Sequence, residues 1–341
     1  MGVIAERLTA QLLSGSPARD PVAVAERLLA LQAQDARGVR LAIRARTAGL
    51  CAADVDRALS VERTLVIDWL NRGTLHLVRT EDYGWLHALT APRMVAGNAR
   101  RLRQEGVSVA AAERGVAVIG RSLYEDGPLN RAQLGARLAR AGLRAEGQAL
   151  AQLLGLASIR GVTVRGPIVD GQHAFALTRE WLGQQRPIER ERALAELARR
   201  YLRGHAPADE RDLAKWSGLP LRDARAGLNA IATQLRERGD GLLELIAAEA
   251  PADLPPPRLL GAFDPLLHGW CSRTPVLGEN VSVVTVNGIF RPIALVRGRA
   301  IATWTISNHR VVLAPFAPVD ADDQAALDRD AIDVARYLAS E

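Results

Sequence analysis

The stretch that decides the fold is TLVIDWLNRGTLHLVRT, residues 64–80, in which two apolar, branched runs flank the turn residues Asn71, Arg72 and Gly73. Runs of this kind on either side of an Asn/Gly turn predict a two-stranded hairpin. Helical periodicity precedes the hairpin at residues 3–13, 21–31, 37–47 and 52–59. Several helices followed by a two-stranded ribbon is the element order of a winged helix, which we predict for residues 1–108.

The same element order recurs twice. In residues 109–187 a helix is predicted at 110–124, Asn130 caps the helix RAQLGARLARAG, another helix spans 144–156, and VTVRGPIVDGQHAFALT closes as a second hairpin. In residues 188–251 the helix ERERALAELARRYLRGH begins a third unit, which ends in the short strand LLELIA. The three units differ in sequence, so we predict a repeat of architecture.

Residues 252–341 differ in character from the first three units. The segment ADLPPPR is typical of a stiff linker. Five short β runs follow: RLLGAF, SVVTV, IFRPIALV, RAIATWTI and RVVLAPF. These runs predict a small barrel or curled sheet, and a helix is predicted at 320–339. The chain is therefore predicted to be α+β, with three tandem winged-helix motifs and a C-terminal β-barrel-like module.

Composition excludes several classes of protein. A hydrophobic content of 48% over 341 residues argues for packed cores, and 4% aromatic residues argue against a stacking platform for single strands. The isolated Cys51 and Cys271 argue against a disulfide scaffold and a structural zinc site. The first residues lack the features of a signal peptide, and no apolar run has membrane-spanning length. We expect a cytoplasmic, nucleoid-associated protein with no membrane partner.

The net charge of +6 is unevenly distributed. Residues 1–317 carry a net charge of +11 and residues 318–341 carry −5, the latter including Glu341. Every basic side chain except Lys215 is an arginine. GC-rich coding would explain this excess of arginine, and so would a surface that binds the phosphates of a duplex. Charge alone does not distinguish these explanations.

The segment LLALQAQDARGVRLAIRAR, residues 28–46, holds the candidate catalytic residues Gln32 and Gln34. A break in the helix after Leu31 would place both side chains on one side of extended backbone. Paired amides can hold a water molecule, because each amide donates and accepts hydrogen bonds. Amides lack the pKa of a general base, so they suit a substrate whose leaving group is already activated. The alternative is that both glutamines are solvated polar residues.

Arginines supply the candidate contacts to DNA. Three lie in the predicted helix that follows the glutamines, one lies in the first hairpin turn, and three lie further along the chain. The predicted DNA-contact residues are Arg37, Arg40, Arg44, Arg72, Arg100, Arg101 and Arg291. Arg100 and Arg101 belong to NARRLRQEG, residues 98–106, for which a solvated helix face is the alternative.

Other polar residues carry weaker predictions. Asp264 and His268 lack a third metal ligand, which favours an architectural or DNA-facing loop and no metal site. His76 is predicted to pack within its strand. Asp35 and Asp68 could act as acids or bases, but capping and ion pairing are commoner uses of such residues.

Four blocks resemble the AlkZ/YcaQ family of bacterial DNA glycosylases in the same order along the chain. The blocks are LQAQDARGVRLAIRART, WLNRGTLHLV, FDPLLHGWCSR and NGIFRPIALVRGRAIATW, which extend from residue 31 to residue 304. That family combines tandem winged helices with a β-barrel-like module in a C-shaped DNA-binding architecture. Its signature is Gln–apolar–Gln in the AlkZ branch and Gln–apolar–Asp in the YcaQ branch. Gln32–Ala33–Gln34 is similar to the AlkZ branch.

The resemblance implies a monofunctional DNA glycosylase without a cofactor. It implies hydrolysis of the N-glycosidic bond of N7-alkylated purines, including purines in interstrand crosslinks, with Gln34 holding the attacking water and Gln32 orienting the water or the sugar. A monomer that binds damaged double-stranded DNA is expected, in repair or in antibiotic self-resistance. The alternative is a non-catalytic winged-helix DNA-binding protein or transcriptional regulator, which would leave no abasic site.

Overall fold

The computed structural model describes residues 2–185 and 187–339, so Glu341 of the predicted acidic tail lies outside the described residues. The chain divides into two compact units. One unit comprises residues 1–55 together with 191–341, and the other comprises residues 56–190. Helices and antiparallel strands occur in both, which confirms the α+β prediction. No helix within the described ranges is long and apolar enough to cross a membrane.

The first segment of the chain is mostly helical. Its elements are α1 (Val3–Ala10), α2 (Pro21–Leu28), β1 (Leu31–Gln32), α3 (Ala36–Arg44) and α4 (Ala52–Ser60). Helix α2 begins where the Asp20 side chain accepts the backbone N–H of Ala23, with Pro21 in the first turn. The periodicity overestimates this helix by three residues, because Leu29 has a φ of 65° and ends it.

The unit of residues 56–190 is built on two hairpins and a set of packed helices. Its elements are β2 (Leu65–Leu70), β3 (Thr74–Arg79), α5 (Thr80–Gln104), α6 (Val109–Asp126), α7 (Arg131–Arg140), α8 (Gly147–Ile159), β4 (Thr163–Val169), β5 (Gln172–Leu177) and α9 (Thr178–Leu182). Both predicted hairpins form, and Leu70 lies opposite Thr74 across the first turn. Strand β2 also pairs with β4, so the two hairpins join in one antiparallel sheet.

Helix α5 is the longest element that the sequence patterns left unassigned. It has 25 residues and contains Pro92 in its interior, a residue that normally ends or kinks a helix. The helix persists because it packs on the core of this unit, where Leu102 lies in one apolar cluster with Ile119, Leu153 and Phe175. The predicted cap at the start of α7 is present, because Asn130 and Gln133 bond to each other's backbone N–H groups.

The remaining segment contains a third helical group and a β-rich module. Its elements are α10 (Arg190–His205), α11 (Glu210–Ser217), α12 (Leu221–Ala230), β6 (Leu235–Glu237), β7 (Leu243–Leu245), β8 (Arg258–Leu260), α13 (Thr274–Leu277), β9 (Ile293–Val296), β10 (Arg299–Ser307), β11 (Arg310–Pro315) and α14 (Ala321–Leu338). Helices α10 to α12, followed by the β6–β7 hairpin, have the element order of a winged helix.

Strands β8 to β11 form a four-stranded antiparallel sheet in the order β11-β10-β9-β8, and α14 packs against it. The prediction of a strand at SVVTV is wrong. A 3-10 turn occupies Val281–Val283, and among the described residues an isolated bridge joins Val284 to Phe290. The apolar core of this module includes Leu259, Trp304 and Tyr337, together with Leu41 of α3. Helix α3, which follows the two glutamines, is therefore part of the same core.

Candidate active site

Gln32 and Gln34 lie in a short non-helical connection between α2 and α3. Gln32 is the last residue of β1 and is buried, with 7% of its surface exposed, whereas Gln34 lies in a bend and is exposed. The predicted break in the helix exists but occurs at Leu28, three residues earlier than expected. The motif thus combines one amide held within the protein and one amide accessible to solvent.

Asp35 and Gly38 fix the chain directly after Gln34. The Asp35 carboxylate caps α3 by accepting the backbone N–H of Gly38, with an Oδ1–N distance of 2.5 Å. The first turn of α3 also packs tightly on the start of the β-rich module. A Cβ atom on Gly38 would collide with the carbonyl oxygen of Ala262, and a Cβ on Gly261 would lie 2.8 Å from Leu41 Cβ. Asp35 is therefore used as a cap, in line with the commoner use of such residues.

A buried ion pair anchors the other end of α3. Arg46 and Asp264 are both fully buried, and two N–H groups of Arg46 donate to the two carboxylate oxygens at 2.8 and 2.9 Å. Arg46 also donates to the backbone carbonyl of Gln11, and Asp264 accepts the backbone N–H of Leu266. The FDPLLHGW segment is thus architectural at Asp264. Its carboxylate is engaged by a guanidinium.

Arg44 is also engaged inside the protein. Its guanidinium donates to Asp330 and Asp333 of α14 at 2.9–3.0 Å and to the Leu259 carbonyl at 2.7 Å. Only 5% of its surface is exposed. The guanidinium of Arg44 is therefore not accessible to a DNA phosphate, contrary to the prediction from the sequence. Asp320 and Asp323 of the same C-terminal tail pair with Arg297, so four of its acids are in ion pairs within the described part of the chain.

The other predicted contact residues divide by exposure. Arg40 is buried and donates to the Ala36 carbonyl at 2.7 Å. The remaining five are exposed: Arg37, Arg72, Arg100, Arg101 and Arg291. Arg72 occupies the turn of the first hairpin with a φ of 35°, and its side chain is exposed. The burial of Arg40 and Arg44 leaves their guanidinium groups inaccessible to a DNA phosphate, whereas the other five arginines are accessible.

Two buried polar residues of the first hairpin have shifted pKa values. Burial raises the pKa of Asp68 to about 6, although Tyr83 donates to it at 2.9 Å and Ser158 also donates to it. Burial lowers the pKa of His76 to about 3, and its ring bonds to the Thr74 carbonyl. His76 is therefore neutral at pH 7, as its predicted packing within the strand requires, whereas Asp68 changes between its neutral and charged forms at about pH 6.

No cluster of three or more His, Cys, Asp or Glu side chains that could hold a metal ion occurs in residues 2–185 and 187–339. The model of the AlkZ-like DNA glycosylase family matches residues 25–337, which includes both glutamines, the first hairpin and the β-rich module. The chain belongs to this family. Its members are hydrolases of N-glycosyl bonds, so the protein is a DNA glycosylase and its substrate is DNA.

A sequence relative and a solved structure each match almost the whole chain. An interstrand DNA cross-link repair glycosylase of Streptomyces sahachiroi is 27% identical over 359 residues, which cover 98% of this chain and 95% of the relative. The solved structure of the DNA glycosylase AlkZ from the same organism superposes with a TM-score of 0.81 at 24% identity, covering 98% of this chain and 95% of that chain. The structural match shows that the two proteins share a fold.

The sequence indicates capping as the commoner use of Asp35 and an architectural or DNA-facing loop at Asp264, but it does not identify Gly38 or Arg46 as residues that hold the glutamine loop. Asp35 carries a local signal, because an Asp directly before a run of helical periodicity is typical of a helix N-cap. The pairing of Arg46 with Asp264 carries no such signal. The two residues are 218 positions apart, and only the folded chain brings them together.

Proposed function

We propose that this glycosylase excises N7-alkylated purines from double-stranded DNA, with Gln34 holding the attacking water and Gln32 orienting that water or the sugar. The observation that carries the proposal is the placement of the Gln32–Ala33–Gln34 motif. It lies outside any helix, with one amide buried and the other exposed. A buried amide has a fixed orientation, and an exposed amide can reach a substrate.

The chemistry fits side chains that cannot act as strong bases. Alkylation at N7 gives the purine a positive charge, which weakens the glycosidic bond and makes the base a good leaving group. The enzyme then needs only to position water and to stabilise the positive charge that develops on the sugar. The Gln34 amide oxygen can accept a hydrogen bond from water while the sugar carbon is attacked.

The surroundings of the motif support the positioning role. The Asp35 cap, the close packing of Gly38 against Ala262 and the buried Arg46–Asp264 pair hold the backbone that follows Gln34. Groups that act by position must be held to within a fraction of an ångström, and buried contacts of this kind provide that precision. We assign these residues a positioning role for the motif.

The name of the Streptomyces sahachiroi relative extends the proposal to crosslinked DNA. That relative is an interstrand DNA cross-link repair glycosylase. On this ground we propose that this chain also releases purines that are tied into crosslinks. A base linked to the opposite strand cannot easily be extruded into a deep pocket, so its glycosidic bond must be cut while the base stays near the duplex. The exposed position of Gln34 suits a base that stays within the duplex. Arg37, Arg72 and Arg291 are proposed as phosphate contacts because their guanidinium groups are exposed.

The test is incubation of the protein with a duplex that contains N7-methylguanine, followed by measurement of the free base and of alkali-labile abasic sites. The wild-type protein should release the base. Gln34→Ala should release it at least 100-fold more slowly while binding the duplex with nearly unchanged affinity. Gln184→Ala, at an exposed glutamine in the loop after α9, is the matched control and should leave the rate unchanged. Retained release by Gln34→Ala would contradict the assignment, and binding without release by the wild type would favour a non-catalytic DNA-binding protein.

A further inference from the structure

Helix α8 occupies the place of a recognition helix in the second winged-helix order of elements. In DNA-binding winged helices this third helix enters the major groove and contacts bases. The sequence of α8, GQALAQLLGLASI, contains no charged residue. Its buried residues include Leu150, Leu153, Leu154 and Ile159. Helix α8 is therefore mostly a core helix, with exposed residues at Gly147 and Gln148 in its first turn.

Helix α5 covers α8. The Asn98 side chain donates to the Gln152 backbone carbonyl at 3.0 Å and to its side-chain oxygen at 3.1 Å. Leu102, one turn further on, is 3% exposed and shares an apolar cluster with Leu153. One face of α5 is thus fixed on α8, and the opposite face becomes the outer surface of this part of the unit.

That outer face is strongly basic. Arg93, Ala96, Arg100 and Arg103 follow one another at spacings of three and four residues, which places them on one side of the helix, opposite Asn98 and Leu102. All four are exposed. Residues 91–104, APRMVAGNARRLRQ, contain four arginines and no acidic residue.

These arginines differ from others of the same unit in having no acidic partner. Within the described part of the chain, Arg93, Arg100 and Arg103 form no ion pair. By contrast, Arg137 pairs with Asp126 at 2.6 Å, and Arg160 pairs with Glu113. Unpaired arginines can bind an anion without first losing an internal partner, and the guanidinium fork matches phosphate oxygens.

We propose that the outer face of α5 is a surface through which the unit of residues 56–190 binds the phosphate backbone of duplex DNA. The proposal rests on the DNA glycosylase function and adds Arg93 and Arg103 to the contact residues. At 1.5 Å per residue, the stripe from Arg93 to Arg103 is about 15 Å long. Phosphates of one strand follow at about 3.4 Å along the duplex axis, so the stripe spans about four of them. The small side chain of Ala96 allows the helix to approach the backbone closely.

The test compares two triple variants that remove the same charge. R93A/R100A/R103A removes the stripe, and R57A/R137A/R160A removes three arginines that are paired with acids in the same unit. Binding of each protein to a short undamaged duplex is measured by fluorescence anisotropy across a range of salt concentrations. Each phosphate contact contributes about 0.9 to the slope of log affinity against log salt, so losing three should reduce the slope by about 2.7. Between about 50 and 200 mM salt, wild-type affinity should then fall about 40-fold more than that of the stripe variant.

The control triple should keep the wild-type slope within about 0.5. An unchanged slope in the stripe variant would overturn the proposal, and so would an equal reduction in both triples, because net charge would then explain the effect. Circular dichroism checks that both variants fold, and Arg100→Glu alone should weaken binding in the same direction. If the wild type fails to release N7-methylguanine, the proposed specificity fails, while the salt measurement still decides the role of α5.

Discussion

Replacing Asp264 with asparagine tests the account of how the glutamine loop is held. The substitution keeps the size of the side chain but removes the charge that neutralises the fully buried Arg46. Two charge-assisted hydrogen bonds at 2.8 and 2.9 Å are lost or weakened, each worth about 1.5–3 kcal/mol. Breaking one partner of a buried ion pair costs about 3–5 kcal/mol, because the other charge stays buried without compensation. We expect Asp264→Asn to lower the free energy of unfolding by that amount.

Urea denaturation followed by circular dichroism measures the effect, with Glu62→Gln as the control. Glu62 pairs with Arg57 on the surface, where the two side chains are 44% and 55% exposed, and such pairs contribute about 1 kcal/mol or less. A loss below about 1 kcal/mol in Asp264→Asn would refute the architectural role of this residue. Replacing both partners with apolar residues should restore much of the stability that the single change removes.

Three further changes have expected outcomes. Gly38→Ala should slow base excision by about 10- to 100-fold, because the added Cβ would collide with the Ala262 carbonyl and displace the glutamine loop. Gly239→Ala is the control, because the space around its Cβ is open, and it should leave the rate unchanged. Equal single-turnover rates for the two variants would contradict this prediction. Burial raises the pKa of Asp68 from 3.8 to about 6, so the folded protein binds this proton more tightly than the unfolded chain does. The free energy of unfolding of the wild type should therefore fall by about 3 kcal/mol from this residue as the pH rises from about 4 to above 6. Asp68→Asn should lack that loss, and parallel stability–pH curves would refute it. Burial lowers the pKa of His76 to about 3, so the free energy of unfolding of the wild type should fall as the pH drops below about 6.5, where the histidine of the unfolded chain takes up a proton. His76→Gln should show a smaller fall over the same pH range. An equal fall in both proteins would contradict this prediction.

The elements with strong local patterns could be predicted from the sequence. The hairpin about Asn71–Gly73 has β-branched runs and a turn that permits positive φ, and the structure contains it. The cap at Asn130 is equally local and is also present. Helix α5 could not be predicted in this way, because Pro92 interrupts the pattern and only packing on α8 makes the helix continuous.

The candidate site could be predicted only in part. The resemblance to a family identifies the Gln32–Ala33–Gln34 motif. The end of α2 could not be predicted, because it depends on a positive φ at Leu29, a conformation that a leucine in the sequence does not indicate. The loss of Arg44 from the DNA-contact set depends on Asp330, which is 286 residues away along the chain. The boundaries of the four predicted segments, the C-shaped arrangement and the monomeric state stay predictions.

The most direct test of the central claim is release of N7-methylguanine under single-turnover conditions by the wild type and by Gln34→Ala, with duplex binding measured in parallel. The account predicts that the wild type liberates the free base and leaves abasic sites, and that Gln34→Ala binds the duplex normally but liberates almost none. Equal release by both proteins would contradict the role of Gln34, and release by neither would contradict the N7-alkylpurine specificity.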